Sequence, residues 1–84
     1  MVSGRFQVTP TAIGVDTQLA FKLPVLSYFD FDYQCAGSAF SPTINQGAAI
    51  IGDVGNNRAL LKFLSVANST FDLFFTFGYE IIAQ

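Results

Sequence analysis

The C-terminal stretch Phe71-Asp-Leu-Phe-Phe-Thr-Phe-Gly-Tyr-Glu-Ile-Ile-Ala83 carries the clearest structural signal in the chain. Large apolar residues alternate along it, so an extended backbone would place one set on a single face: Phe71, Leu73, Phe75, Phe77, Tyr79 and Ile81. The stretch is rich in aromatic residues and has no proline, as is typical of strands. This period of two predicts a long β-strand, in which Gly78 marks a bulge or a close backbone approach.

Shorter segments upstream show the same alternation, and we predict strands in residues 5–9, 19–23, 25–35 and 48–54. Pro10 ends the first of these strands and Pro24 separates the second from the third, because proline cannot donate a hydrogen bond to a sheet. The residues Gly55-Asn-Asn57 tolerate a positive φ, which predicts a tight turn after the strand at 48–54.

Residues 58–67 are compatible with either a strand or a short helix. They contain good helix formers, and Asn57 could cap a helix. However, their apolar residues do not keep to one helical stripe, whereas an extended backbone places Ala59, Leu61 and Phe63 on one face. We therefore favour a strand, followed by a hairpin turn at Asn68-Ser-Thr70 into the last strand.

The predicted fold is all-β, a small antiparallel β-sandwich or partly open β-barrel of about six strands. The length of 84 residues allows a single domain, residues 1–84. Residues 1–9 are expected to form an N-terminal arm, and residues 36–47 a central loop rich in turn-forming residues. Both segments are candidate contacts with a neighbouring protein.

The composition argues against catalysis and against nucleic-acid binding. The chain has four basic residues, a net charge of −2 and no histidine. It therefore lacks a basic patch for phosphates, the commonest general base and the commonest transition-metal ligand. We predict a protein that is not an enzyme and that has no catalytic, cofactor-binding or metal site.

Three groups of reactive residues have simpler structural interpretations. Cys35 is typical of a small buried hydrophobic residue, since no histidine is present to activate it. Asp30 and Asp32 would share one face of a strand, where paired carboxylates could bind Ca²⁺ or act as acid and base, but a solvated face is the simpler interpretation. Residues 53–57 resemble a short calcium loop without its closing glutamate, so they predict a turn.

The distribution of apolar residues predicts that the protein works in an assembly. The second face of the predicted strands, which should meet water in a monomer, also carries large apolar groups. We expect these residues to form an interface: Leu26, Tyr28, Leu60, Leu64, Val66, Phe74 and Ile82. The expected partners are further copies of the chain, a larger protein lattice such as a capsid, or both, with neither nucleic acid nor membrane involved.

The leading functional prediction is a structural subunit of a bacteriophage particle, such as a capsid decoration or cement protein or a head or tail accessory protein. The first eight residues lack the apolar core of a signal peptide, so we expect synthesis in the cytoplasm and a final location in the virion. The alternative is a binding module for a glycan or a cell-surface protein. That module would use exposed tyrosines beside the acids: Tyr28, Tyr33 and Tyr79 with Asp30 and Asp32.

Overall fold

The computed structural model describes residues 1–83 and is built from six β-strands and one short 3-10 turn. The strands are β1 (Val2–Val8), β2 (Asp16–Phe21), β3 (Cys35–Phe40), β4 (Gly47–Asp53), β5 (Arg58–Leu64) and β6 (Phe71–Tyr79). The 3-10 turn spans Asp32–Gln34 and leads directly into β3. Within this range no helix has the length and hydrophobicity that spanning a bilayer requires.

The six strands form one antiparallel sheet in the order β1-β6-β3-β4-β5-β2, and the sheet curls into a half-barrel. Each pair of neighbours keeps a constant register along its length. The prediction of an all-β fold with about six strands is therefore confirmed. Residues 58–64 are a strand and not a helix, and the long C-terminal strand is the second strand of the sheet.

Hairpins join only the neighbours β3–β4 and β4–β5 among the consecutive strands. The predicted hairpin turn at Asn68-Ser-Thr70 is wrong, because β5 and β6 are separated in the sheet by β3 and β4. The alternation of residues 71–79 identified a strand correctly but carried no information about its partners. The turn after β4 has the predicted backbone, with Gly55 at a φ of 92° and Asn57 at 53°.

Three predicted segments differ from the structure. Residues 25–31 are irregular and not a strand, because they run beside the chain end, where Tyr28 N–H donates to the Ile82 carbonyl at 3.0 Å. The central loop begins only after Phe40, since residues 35–40 form β3. The predicted N-terminal arm lies almost entirely in β1, where backbone pairing with β6 fixes it.

The core fills the concave face of the sheet. Its buried apolar residues are Val8, Phe29, Cys35, Ala39, Ile50, Ala59, Leu61, Phe63, Phe71, Leu73 and Phe77. Along β6 the inward residues are the odd-numbered ones, as the alternation predicted. Towards the sheet edges the rings of Phe6, Phe21 and Phe75 are only half-buried, and they pack on one another with Phe6 and Phe21 centroids 5.0 Å apart.

Buried polar side chains attach the long connections to the sheet. The Ser65 hydroxyl donates to the Ala12 carbonyl at 2.5 Å and accepts from Val15 N–H at 3.1 Å. The Gln46 amide donates to the Leu64 carbonyl at 3.1 Å and accepts from Val66 N–H at 2.9 Å. These bonds satisfy backbone groups that no neighbouring strand reaches, which explains why polar residues occupy the interior here.

Candidate interaction surfaces

The convex, outer face of the sheet carries two exposed phenylalanines at one end. Phe74 of β6 pairs with Phe40 of β3, and their ring centroids are 6.1 Å apart. Phe40 remains 60% exposed and Phe74 39% exposed. The core rings lie on the other side of the sheet, so both rings of this pair face away from the core and remain partly open to solvent.

Leu64 and Val66 extend this apolar surface across the sheet. Phe40 pairs with Gly47 of β4, and the register of β4 with β5 places Gly47 level with Leu64, which is 63% exposed. Gly47 has no side chain to interrupt the row. Val66 follows two residues later and is also exposed. We call these residues the outer apolar cluster: Phe40, Leu64, Val66 and Phe74.

Charged residues bound the outer apolar cluster at both edges of the sheet. Arg5 of β1 pairs with Phe74, and Asp16 of β2 pairs with Leu64. Arg5 also lies 3.8 Å from a carboxylate oxygen of Asp72. The row that crosses the sheet is therefore apolar in its centre and charged at its ends.

The residues predicted as an interface do not share one surface. Leu64, Val66 and Phe74 belong to the outer apolar cluster, while half-buried Leu60 lies on the same face nearer the opposite end of the strands. The remaining three lie beyond the sheet at that opposite end: Leu26, Tyr28 and Ile82. Sequence reasoning misses Phe40, because the Gly and Ser residues of β3 are typical of a loop.

A second exposed surface lies in the connection before β3. The rings of Phe31 and Tyr33 stack with centroids 5.3 Å apart and planes 15° apart. They are 55% and 68% exposed. The Gln34 side-chain oxygen accepts from the N–H groups of Asp30 at 2.8 Å and Phe31 at 3.0 Å, which holds the loop in this shape. We call residues 30–33 the aromatic–acidic loop.

Asp30 and Asp32 are both exposed in this loop, next in sequence to the stacked rings. The ion pairs within residues 1–83 are Arg5–Asp72 and Arg58–Asp53, so neither acid of the loop has a cationic partner there. The two acids do not lie on a strand as predicted, since residue 30 is in a bend and Asp32 starts the 3-10 turn.

The three tyrosines of the alternative prediction have different environments. Tyr33 is exposed, whereas Tyr28 and Tyr79 are half-buried. The Tyr79 hydroxyl donates to the Val25 carbonyl at 2.8 Å and accepts from Val25 N–H at 2.9 Å. Tyr79 therefore fixes the connection after β2, and only Tyr33 presents its ring to a ligand.

The surroundings of Cys35 and Asp53 explain their roles in the fold. Cys35 is fully buried, and this burial raises the pKa of its thiol, which keeps the thiol protonated and inaccessible. Hydrogen bonds from Arg58, at 2.6 Å, and from Asn56 lower the pKa of the Asp53 carboxyl in the β4–β5 turn. In the part of the chain that the structure describes, no three Cys, Asp or Glu side chains converge to hold a metal ion.

One cleft of about 460 Å³ opens beside the last residue of β2 and the first residue of β5. It is lined by Lys22, Leu23, Leu26, Asn56, Asn57 and Arg58. Neither a carboxylate nor a thiol lines it, so it offers no pair of groups for acid–base or nucleophilic chemistry. The Arg58 guanidinium is already paired with the Asp53 carboxylate at 2.6 Å.

Comparison of the chain with protein-family models, curated proteins and solved structures gives no match. A half-barrel of this kind does not define a function on its own, since one architecture serves many functions. The two exposed surfaces described above are therefore the basis for a functional assignment.

Proposed function

We propose that the protein is a non-enzymatic structural subunit of a larger assembly, and that the outer apolar cluster is its contact with neighbouring copies. The observation that carries this proposal is the exposure of Phe40, Phe74 and Leu64 on one row of a regular sheet. Burying a side chain of this size contributes about 1.5 to 3 kcal/mol, so a partner that covers the cluster gains substantial free energy.

The exposed cluster does not result from loose folding. The accessible surface of the chain is 5048 Å², close to the roughly 4,900 Å² expected for a folded monomer of this mass. The surface thus has an ordinary size and an unusual composition, because only 12% of the residues are charged. Such a surface favours association with another protein.

The layout of the outer face also resembles that of an interface. Interfaces between subunits have an apolar centre that excludes water and a polar rim that remains accessible. The row from Arg5 through Phe74, Phe40 and Leu64 to Asp16 has this arrangement. Such a row is suited to contact with further copies of this chain or with a larger protein lattice.

Among assemblies, we favour the particle of a bacteriophage, in which this chain would decorate or cement the capsid or act as a head or tail accessory protein. The support is an analogy with small β-rich subunits of virus particles as a class. Within residues 1–83 this chain is likewise a small β-rich domain with an apolar outer face and no grouped reactive side chains. In such a particle the outer apolar cluster would face its neighbours.

The proposal is tested by the mass of the purified protein in solution, measured by size exclusion with multi-angle light scattering. We expect the wild-type chain to have a multiple of the 9.1 kDa chain mass. Phe74→Asp should reduce that mass to one chain, because an unpaired carboxylate in an apolar interface is costly to desolvate. Circular dichroism should show unchanged strand content, since Phe74 faces solvent in the free chain.

Val54→Asp provides the matched control for this variant. Val54 is also an exposed apolar residue, but it lies in the β4–β5 turn at the other end of the strands. The control should keep the wild-type mass. A wild-type chain that remains monomeric at millimolar concentration, or Phe74→Asp protein that assembles normally, would contradict self-association through this cluster.

A second candidate function, a binding module for a glycan or a cell-surface protein, is favoured by one observation. Tyr33 and Phe31 expose stacked rings next in sequence to Asp30 and Asp32, so one of the three predicted tyrosines retains the exposure that this alternative requires. The aromatic–acidic loop lies before Cys35, the first residue of β3, whereas Phe40 is the last residue of β3. The two candidate surfaces therefore lie at opposite ends of one strand and can be tested separately.

A further inference from the structure

We propose that the aromatic–acidic loop binds the guanidinium group of an arginine on a partner protein. This inference rests on the second candidate function, because it names the ligand of the binding module. It does not depend on the outer apolar cluster, which lies about 17 Å away along β3 at the usual strand rise.

The stacked rings provide the first half of the site. Phe31 and Tyr33 lie nearly parallel, with planes 15° apart, and more than half of each side chain is open to solvent. Aromatic faces carry negative electrostatic potential and attract cations within about 6 Å of the ring centre. A planar guanidinium can also stack flat on such a face, which an ammonium group cannot do.

The acids provide the second half of the site. Asp30 and Asp32 are next to the rings in sequence and have no cationic partner within residues 1–83. A positively charged ligand therefore complements the charge of this loop.

Charge distinguishes an arginine from a sugar at this loop. The two carboxylates are negatively charged hydrogen-bond acceptors, and neither has a cationic partner within residues 1–83. A sugar donates hydroxyl hydrogen bonds to carboxylates but carries no charge. Guanidinium has five donors and a positive charge, so its hydrogen bonds to carboxylates are charge-assisted and roughly twice as strong as neutral ones.

The experiment is a titration of the ¹⁵N-labelled protein followed by amide chemical shifts. The probes are the peptides acetyl-Gly-Arg-Gly-amide and acetyl-Gly-Lys-Gly-amide and the sugars maltotriose and chitotriose, all at low ionic strength. We expect saturable shifts of the amides of residues 30–34 with the arginine peptide, weaker shifts with the lysine peptide, and none with the sugars.

Matched variants identify the groups responsible. Asp32→Asn and Tyr33→Ala should each lower the affinity for the arginine peptide by about threefold to tenfold, which is the contribution of one exposed charged or cation–π contact. Asp16→Asn removes the same charge from an exposed site on β2 and should leave the affinity unchanged. Phe74→Asp should also bind normally, because the outer apolar cluster is not part of this site.

The outcomes separate the inference from the function on which it rests. Binding of a sugar but not of the arginine peptide at residues 30–34 would overturn the inference and retain the binding module. The absence of shifts in this loop with every probe would overturn both. Equal weakening by Asp32→Asn and Asp16→Asn would show attraction to overall charge, and would also overturn the inference.

Discussion

Gly37 is the residue at which the sheet leaves no room for a side chain. A Cβ added there would overlap the Thr76 carbonyl oxygen and the Phe77 Cβ, and would lie 2.6 Å from the Phe77 Cα. The sequence predicts a bulge or a close backbone approach at Gly78, whereas a Cβ at that position would meet nothing within 4 Å and the register with β3 continues through Gly78 without a bulge. Alternation along one strand shows where that strand is extended, but a close approach depends on the neighbour, which the pattern does not name.

This difference predicts opposite effects of the same substitution at two glycines. Gly37→Ala should lower the free energy of unfolding by about 1 to 3 kcal/mol, because backbone atoms must move to admit the methyl group. Gly78→Ala should raise it by about 0.5 kcal/mol, since alanine restricts the unfolded chain more than glycine does. Urea unfolding followed by circular dichroism measures both, and equal midpoints for the two variants would show that the β3–β6 contact is looser than described.

At the scale of elements, the sequence predicted best the strands whose two faces differ most. In β6 and β5 buried and accessible residues largely alternate, and both strands were located from that pattern. Residues 25–35 alternate equally well but form no strand before Cys35. There the Ser27 hydroxyl donates to the Glu80 carbonyl at 2.6 Å, so a side chain replaces part of the backbone pairing. Hydrogen bonds of this kind join residues far apart in sequence and leave no periodic signal.

The aromatic–acidic loop shows the same limit for the candidate site. Its acids and Tyr33 could be named from the sequence, because carboxylates beside rings are recognisable by type. The exposure of the two rings does not follow from the alternation, since an extended backbone over residues 25–35 would place Phe31 and Tyr33 on the same face as Phe29 and Cys35, which are buried. The change of direction comes from Gln34, whose side chain binds two backbone N–H groups and stabilises the bend.

The β4–β5 hairpin should depend on the charge of Asp53. Hydrogen bonds from Arg58 and Asn56 lower the pKa of this carboxyl in the folded chain. A lowered folded-state pKa contributes stability above the ordinary pKa of aspartate, and this contribution is lost as the pH falls through the folded-state value. Asp53→Asn should therefore be less stable than wild type at neutral pH, and the difference should disappear in acid.

Urea unfolding of both proteins between neutral pH and strongly acidic pH tests this expectation. Asp16→Asn is the control, because the structure gives that exposed acid neither an ion pair nor a side-chain hydrogen bond within residues 1–83. Its stability relative to wild type should change little with pH. A difference between Asp53→Asn and wild type that persists in acid would assign the effect to the shape of the turn and not to the carboxylate charge.

At the scale of the whole molecule, the half-barrel remains open between its two edge strands. No backbone hydrogen bond joins β1 to β2 within the described residues, and ring contacts such as Phe6–Phe21 close the gap on the inner side. Near this gap the inner residues Phe6, Leu19 and Phe21 are only half-buried, whereas Leu61 and Phe63 of β5 are buried. The chain therefore has apolar groups with incomplete cover on the inner side as well as on its outer face.

A chain with this much accessible apolar surface should be more stable when assembled than when alone. If association requires the native state, each tenfold increase in protein concentration adds about 0.7 kcal/mol per subunit for a dimer, which raises Tm by about 3 to 5 °C for a domain of this size. Differential scanning calorimetry between about 10 µM and 1 mM should show this rise for the wild type and for Val54→Asp. It should be absent for Phe74→Asp, because the outer apolar cluster is the contact. A Tm independent of concentration for the wild type would place the stabilising contacts within the single chain and leave the exposed phenylalanines without a role in assembly.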